Sequence, residues 1–224
     1  MNMKCDHFVQ TLIEETEFKF LQSKKKWPTV EFKTDFVLIG VRGISIINNE
    51  VLLNDNSFDY FNDILFNIYP GAKSWGSRVA TMDPGKVSKE TLLKYGIKDG
   101  EARTEEGLYL VKIGFHRGHK AFVQASPFYY RRDVNEDRVR NELDPLYYDQ
   151  VGLNIHAQNV QKDSVGVSSL GYTVTKITWD EPEWIEFISV FKEASIQARI
   201  KNPKFSGFCY AVLNQNMAKK IFYR

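Results

Sequence analysis

From Asp35 to Leu213 the chain is cut into short apolar runs, each closed by a turn signal, and this punctuation constrains the fold more than any other feature. Asp35–Val41 is β-branched and apolar. Asp63–Tyr69 alternates, with Ile64, Phe66 and Ile68 on one face, and Pro70-Gly71 turns it towards Ser77–Thr81. Asp83-Pro84-Gly85 is a second turn signal. Leu108–Phe115 and Ala121–Gln124 read as a hairpin across Arg117-Gly118-His119. Tyr129–Arg132 and Gly152–His156 read as strands, separated by a segment rich in Asp, Asn and Arg (Asp133–Asp149). Val165–Val174 and Lys176–Thr178 are strand-like around Gly166 and Gly171, and Phe208–Leu213 ends the series. A chain so divided folds as a mainly β domain.

Three segments carry helical spacing instead. Cys5–Leu21 places Phe8, Leu12, Ile13 and Phe20 on one face, with Glu14, Glu15 and Glu17 between them. Lys24-Lys25-Lys26 then reads as a solvated linker, and Trp27-Pro28 breaks the helix. Residues 1–34 are therefore expected to be a helical extension appended to a domain over 35–224. Ser88–Tyr95 reads as a short helix with Ser88 as N-cap, stopped by Gly96. Glu181–Ala198 has Pro182 at its start and Trp184, Ile188, Phe191 and Ala194-Ser195 along one face. No repeat or low-complexity tract interrupts the pattern.

With 224 residues, 43% hydrophobic and 26% charged, the chain has material for one substantial core. Thirty Lys and Arg against 28 Asp and Glu leave a net charge of +2, which calls for no nucleic-acid partner. The cysteines, Cys5 and Cys209, stand at opposite ends with neither metal-ligand spacing nor a disulfide framework. Apolar runs such as Phe36–Val41 fall far short of the roughly 20 residues of a membrane span. The first twenty residues are interrupted by acids and lack the apolar stretch of a signal peptide, so cytoplasmic synthesis or association with a virion is expected.

Candidate chemistry centres on the four histidines. His7 shares its helix with acids and reads as a surface residue. His116 and His119 flank the hairpin turn, as turn residues or as the wall of a groove. His156 ends the run Gly152-Leu153-Asn154-Ile155-His156, where a rigid element holds its side chain. A strand histidine is ordinarily structural. What raises this one is the segment Ser168-Ser169-Leu170-Gly171-Tyr172, because small residues at a turn expose a nucleophile and aim backbone N–H groups at an oxyanion. Sixteen residues separate His156 from Tyr172, room for a strand to return alongside. A serine, Ser168 or Ser169, pairing with His156 is one available nucleophile. Cys209 reads as a buried small hydrophobe. Gly114–Gly118 lacks the lysine and setting of a phosphate loop, and Asp133, Asp137, Asp144 and Asp149 are not spaced as a calcium loop. The residues ask for no metal and no cofactor.

The arrangement His156…Ser169-Leu170-Gly171-Tyr172 resembles the motif of the L,D-transpeptidase family, in which a histidine is followed by Ser-X-Gly-Cys. Ile39-Gly40-Val41-Arg42, Ala80-Thr81-Met82-Asp83-Pro84-Gly85, Gly114-Phe115-His116-Arg117-Gly118, Arg131-Arg132-Asp133 and Gly152-Leu153-Asn154-Ile155-His156 resemble a phage and bacterial branch of that fold. The resemblance spans Asp35 to Leu213. It implies an L,D-transpeptidase-like β-sheet domain, with His156, Ser169, Gly171 and Tyr172 at catalytic positions and His116 and Arg132 lining a groove for peptidoglycan stem peptides.

In that family a cysteine thiolate attacks a peptide carbonyl, a histidine assists, and a thioester forms. Here the thiol position holds Tyr172, and Ala157 follows the histidine where the related branch carries a polar or basic residue. A phenol ionises near pKa ~10 against ~8.5 for a thiol, and it is a poor acyl carrier for this task. The resemblance therefore implies a degenerate, non-catalytic module that binds peptidoglycan or acts as an interface between protein subunits. Two alternatives stand beside it: an active peptidoglycan enzyme with a non-cysteine nucleophile, and a structural component of a phage virion.

Overall fold

The computed structural model describes residues 2–21, 35–71, 74–139 and 141–224, so the expected Lys24-Lys25-Lys26 linker and Trp27-Pro28 break lie outside the described residues. In chain order the elements are β1 (Asn2–Lys4), α1 (Cys5–Leu21), β2 (Val37–Val41), β3 (Ile44–Ile47), β4 (Glu50–Leu53), β5 (Asp63–Ile68) and β6 (Trp75–Thr81). Then come α2 (Lys89–Lys94), β7 (Ala102–Thr104), β8 (Gly107–His116), β9 (His119–Gln124), β10 (Phe128–Arg132) and β11 (Leu146–Asp149). The chain ends with β12 (Ile155–Gln158), β13 (Thr173–Thr178), α3 (Pro182–Lys201), β14 (Phe208–Leu213) and α4 (Gln215–Phe222). The mainly β expectation holds.

Eight strands close into a barrel in the order β12-β13-β6-β5-β2-β14-β8-β9. Two of its pairs are parallel, β14 with β2 and β12 with β13, and the others are antiparallel. Small sheets β1-β4-β3 and β11-β10-β7 flank it. The central strands β2, β5 and β14 are buried at every position. Their side chains alternate between two apolar clusters, as the period of two requires. Val37, Ile39, Val41, Ile64, Phe66, Ile68, Ala211 and Leu213 pack with α1 and α4. Leu38, Leu65, Tyr210 and Val212 pack with Phe122, Ile155 and the α3 residues Trp184, Phe187, Ile188 and Phe191.

The predicted helix over Cys5–Leu21 forms, but it is no appendage. Cys5, Phe8, Val9, Leu12, Ile13 and Phe20 are buried in the first cluster, with the Phe8 ring 6.2 Å from Phe66 and 5.6 Å from Phe222. A face of this size cannot stay in water, and it covers one side of the barrel. Among the described residues no helix is long and apolar enough to cross a membrane.

Three local features position the site. The β8–β9 hairpin turns through Arg117 and Gly118, whose φ values of 49° and 85° are those of a type I′ turn. Ser88 caps α2 as expected, accepting the Thr91 N–H. The run Val165–Val174, however, is not a strand. Gly166–Ser168 forms a 3-10 turn, residues 169–172 bend, and regular pairing begins only at Thr173. Gly171 explains the difference: its φ is +132°, and a Cβ there would lie 2.7 Å from the Ala102 Cβ and carbonyl oxygen. Likewise the strand expected over Gly152–His156 is shorter and later, spanning Ile155–Gln158.

Candidate functional site

β12 lies between β9 and β13, so one strand brings the hairpin tip and the 166–172 turn to the same place. Parallel pairing sets His156 opposite Val174, two residues beyond Tyr172. The His156 and Tyr172 rings meet edge to face, with centroids 5.3 Å apart. His116, at the end of β8, stacks on His156 at 4.4 Å and 9°, and touches Tyr172 at 5.2 Å. Trp179, just past β13, lies 5.6 Å from His156 and 4.7 Å from His119, near-parallel to both. The Trp179 indole N–H donates to Asn159 Oδ1 at 2.8 Å, which fixes the ring. The sequence-predicted His156, Tyr172 and His116 are thus brought together.

Hydrogen bonds set the tautomers of the imidazole pair. His156 Nδ1 lies 2.8 Å from the Ala157 carbonyl oxygen, which only accepts, so Nδ1 carries the proton and Nε2 a lone pair. That Nε2 is buried, and among the described residues no group hydrogen-bonds it. Asn154 Oδ1 accepts from the Gln124 N–H at 3.3 Å, so the other end of its amide, Nδ2, donates to His116 Nδ1 at 3.0 Å. The His116 proton therefore sits on Nε2. Burial, and then the neighbouring His116 ring, push His156 down to about 3. Burial, then Arg117, push His116 down to about 4. Both rings are neutral near pH 7.

Ser169 closes the turn that carries it. Fully buried, its hydroxyl donates to the Tyr172 carbonyl oxygen at 2.8 Å and accepts the Gly171 N–H at 3.3 Å, closing the turn on itself. The turn is held from outside by Gly85, whose N–H donates to the Ser169 carbonyl at 2.8 Å. Asp59 holds it as well: one carboxylate oxygen accepts the N–H groups of Gly166 at 2.7 Å and Lys86 at 2.8 Å. A Cβ on Gly85 would stand 2.1 Å from the Gly166 carbonyl oxygen, so the two loops touch backbone to backbone. Tyr172 is half-buried and leans on Val87, Leu92 and Leu170 beneath α2.

Arg132 sits one strand beyond the turn, as the register partner of Ala102, whose N–H donates to the Leu170 carbonyl. Its guanidinium donates to the Gly100 carbonyl at 2.9 Å and lies over the Tyr130 ring, in the β11-β10-β7 sheet. The cation beside the histidines is Arg117, held over the Tyr95 ring at 5.0 Å. Cys209 is buried in β14, and burial pushes its thiol up to about 12, so it supplies no thiolate. Among the described residues no three His, Cys, Asp or Glu side chains converge to hold a metal.

Sequence reasoning missed Asn154, Trp179, Arg117 and Asp59. Asn154 had a signal, since it precedes His156 by two and shares its face. Arg117 was named only as part of a turn. Asp59 gave none, because its partners are backbone groups of two loops distant in sequence, at Lys86 and Gly166. Chemically the cluster holds one acceptor at His156 Nε2 and flat π faces, and among the described residues no thiol or hydroxyl hydrogen-bonds that nitrogen. Compared with known proteins, the chain matches no family model, no curated protein and no solved structure.

Proposed function

We propose that the chain is a degenerate L,D-transpeptidase-like module that keeps a peptide-recognition site and performs no covalent chemistry there. The observation that carries this reading is the pairing of His156 with Tyr172: an imidazole with a free, buried lone pair faces a phenol ring where the family resemblance expects a thiol. A lone pair with no proton donor is a base without a nucleophile. The serine alternative is weakened because Ser169 spends both hydrogen-bonding directions on its own turn.

Catalysis is tested by incubating the purified chain with tetrapeptide stems. No transpeptidase or carboxypeptidase turnover is expected. Turnover that vanishes in Ser169→Ala and survives in Tyr172→Phe establishes the serine enzyme instead.

One observation favours a second reading, a structural interface such as a virion component. Tyr172 packs against Val87, Leu92 and Leu170 as a filler of its pocket. Tyr172→Cys separates the two. A thiol that reacts quickly with iodoacetamide, and slows when stem peptide is added, supports recognition. An inert thiol in the native protein supports the interface.

A further inference from the structure

Between β10 and β11 the chain carries oxygen ligands at the spacing of a calcium loop. Counted together with Asp149, the acids there lack that spacing. Counted as a frame of twelve from Asp133, they have it: Asp133 is first, Asn135 third, Asp137 fifth and Asp144 twelfth, with the Val139 carbonyl seventh. Arg138 stands sixth, where a calcium loop turns sharply on glycine, and its φ of 59° makes the same turn. Asp133 accepts the Asp137 N–H at 3.1 Å and the Arg138 N–H at 2.9 Å, and Asp137 accepts the Val139 N–H at 2.7 Å. Both ends are pinned to the scaffold. The Asp133 N–H donates to the Glu101 carbonyl at 3.2 Å, and the Arg131 guanidinium donates to the Asp144 carbonyl at 2.6 Å.

A residue from outside the loop points to the same place. Glu101, just before β7, is 5% exposed, and among the described residues no other residue hydrogen-bonds or ion-pairs with its carboxylate. It lines a cavity of ≈ 20 Å³ together with Asp133, Val139 and Asp144, room for one small occupant. Burial, with the Asp133 charge adding to it, pushes the Glu101 and Asp144 carboxyls up. Arg103 and Arg131 share the cavity wall but are committed, to Asp83 at 3.0 Å and to Glu105 at 3.4 Å. We propose that this loop is a calcium site, with the Asp133, Asn135, Asp137 and Asp144 side chains and the Val139 carbonyl as ligands and Glu101 completing the negative charge from the cavity wall. The site stands apart from the peptide-recognition reading and reverses the expectation that these acids hold no cation. A mixed set of carboxylate, amide and carbonyl oxygens on a loop suits calcium better than magnesium, which demands a near-ideal octahedron. Among the described residues no three carboxylates already converge, so the cation itself draws them together, which places the affinity at the weak end, about 10⁻⁴ M.

Calcium chloride and magnesium chloride, titrated separately into the full-length, 15N-labelled protein after EDTA treatment and dialysis, test the assignment. Calorimetry should find one calcium site, with magnesium about tenfold weaker or more. The amide resonances that move should be those of residues 133–144 and Glu101. Asp133→Asn, Asp144→Asn and Glu101→Gln each remove a charge and keep an acceptor, so each should weaken calcium about tenfold or more. Melting in EDTA as the parent does shows that a variant is folded, and the melting temperature of the parent, but not of the variants, should rise with calcium. Where a variant fails to fold, the amide shifts of the parent decide. The proposal falls if calcium does not bind by about 10 mM, above the range of the weakest calcium modules. It falls equally if magnesium binds as tightly, if the moving amides lie outside this loop, or if folded variants bind calcium as the parent does.

Discussion

At the scale of residues, two side chains decide what the site can do, and each has a measurable consequence. His156 titrates at about 3 in the folded chain because burial disfavours its charged form, whereas a free imidazole titrates near ~6.5. Above pH ~6.5 the ring is neutral whether folded or unfolded, so its contribution to stability does not vary there. Below that, the unfolded chain takes up a proton that the folded chain refuses. Stability then falls by about 1.4 kcal/mol per pH unit as pH drops towards the folded value. Urea unfolding from pH 7 to pH 4 should show this loss, and His156→Phe should flatten the slope by close to one proton. An unchanged slope in the variant means the ring is not buried as a neutral base. Ser169→Ala makes a second prediction. Removing a buried hydroxyl that serves both the Tyr172 carbonyl and the Gly171 N–H should cost about 1–3 kcal/mol. A loss below ~0.5 kcal/mol by the same measurement shows that the turn does not depend on it.

Elements are where sequence and structure agree most and where the disagreements have clear causes. The alternation of β5 and the β8–β9 hairpin were legible because each is written in contiguous residues. The β3–β4 hairpin went unread although Asn48 and Asn49, with φ of 50° and 59°, form its turn. α4 went unread because its apolar pairs, Met217-Ala218 and Ile221-Phe222, occupy only two turns. The 166–172 segment misled because apolar residues there serve loop packing. Nothing local reveals Arg42 either. Fully buried, it donates to Asp83 Oδ1 at 3.1 Å, Asn214 Oδ1 at 3.0 Å, Met82 O at 2.9 Å and Thr104 O at 2.8 Å. One guanidinium thereby joins the end of β2 to β7, the start of α4 and the loop after β6. Arg42→Met removes one cation from the buried Asp83, which Arg103 also meets, and takes a donor from the Met82 and Thr104 carbonyls. The expected loss is about 3–5 kcal/mol by denaturant unfolding, the scale of removing one partner from a buried ion pair. A variant within ~1 kcal/mol of the parent would show that water or rearrangement satisfies Asp83.

At the scale of the whole molecule the central question is whether α1 belongs to the domain. Read alone, its amphipathic spacing fits a peripheral helix as well as an integral one, because the pattern shows that a face is buried and not what buries it. The fold supplies the answer through α4 and the outward residues of β2, β5 and β14, which share one apolar cluster with α1. Glu15 and Lys220 extend that contact as an ion pair at its border. If the helix is integral, Phe8→Ala must cost as much as a substitution in the barrel itself, about 3–5 kcal/mol, and Phe66→Ala is the internal standard. Phe222→Ala adds a coupling test, since the Phe8 and Phe222 rings lie 5.6 Å apart. The double variant should lose measurably less than the sum of the single ones, with an interaction energy above ~0.5 kcal/mol. Calorimetry of the parent should likewise show one transition, because a helix sharing the barrel's core cannot melt ahead of it. A separate early transition, abolished in Phe8→Ala with the main one unmoved, would return α1 to the status of an appendage.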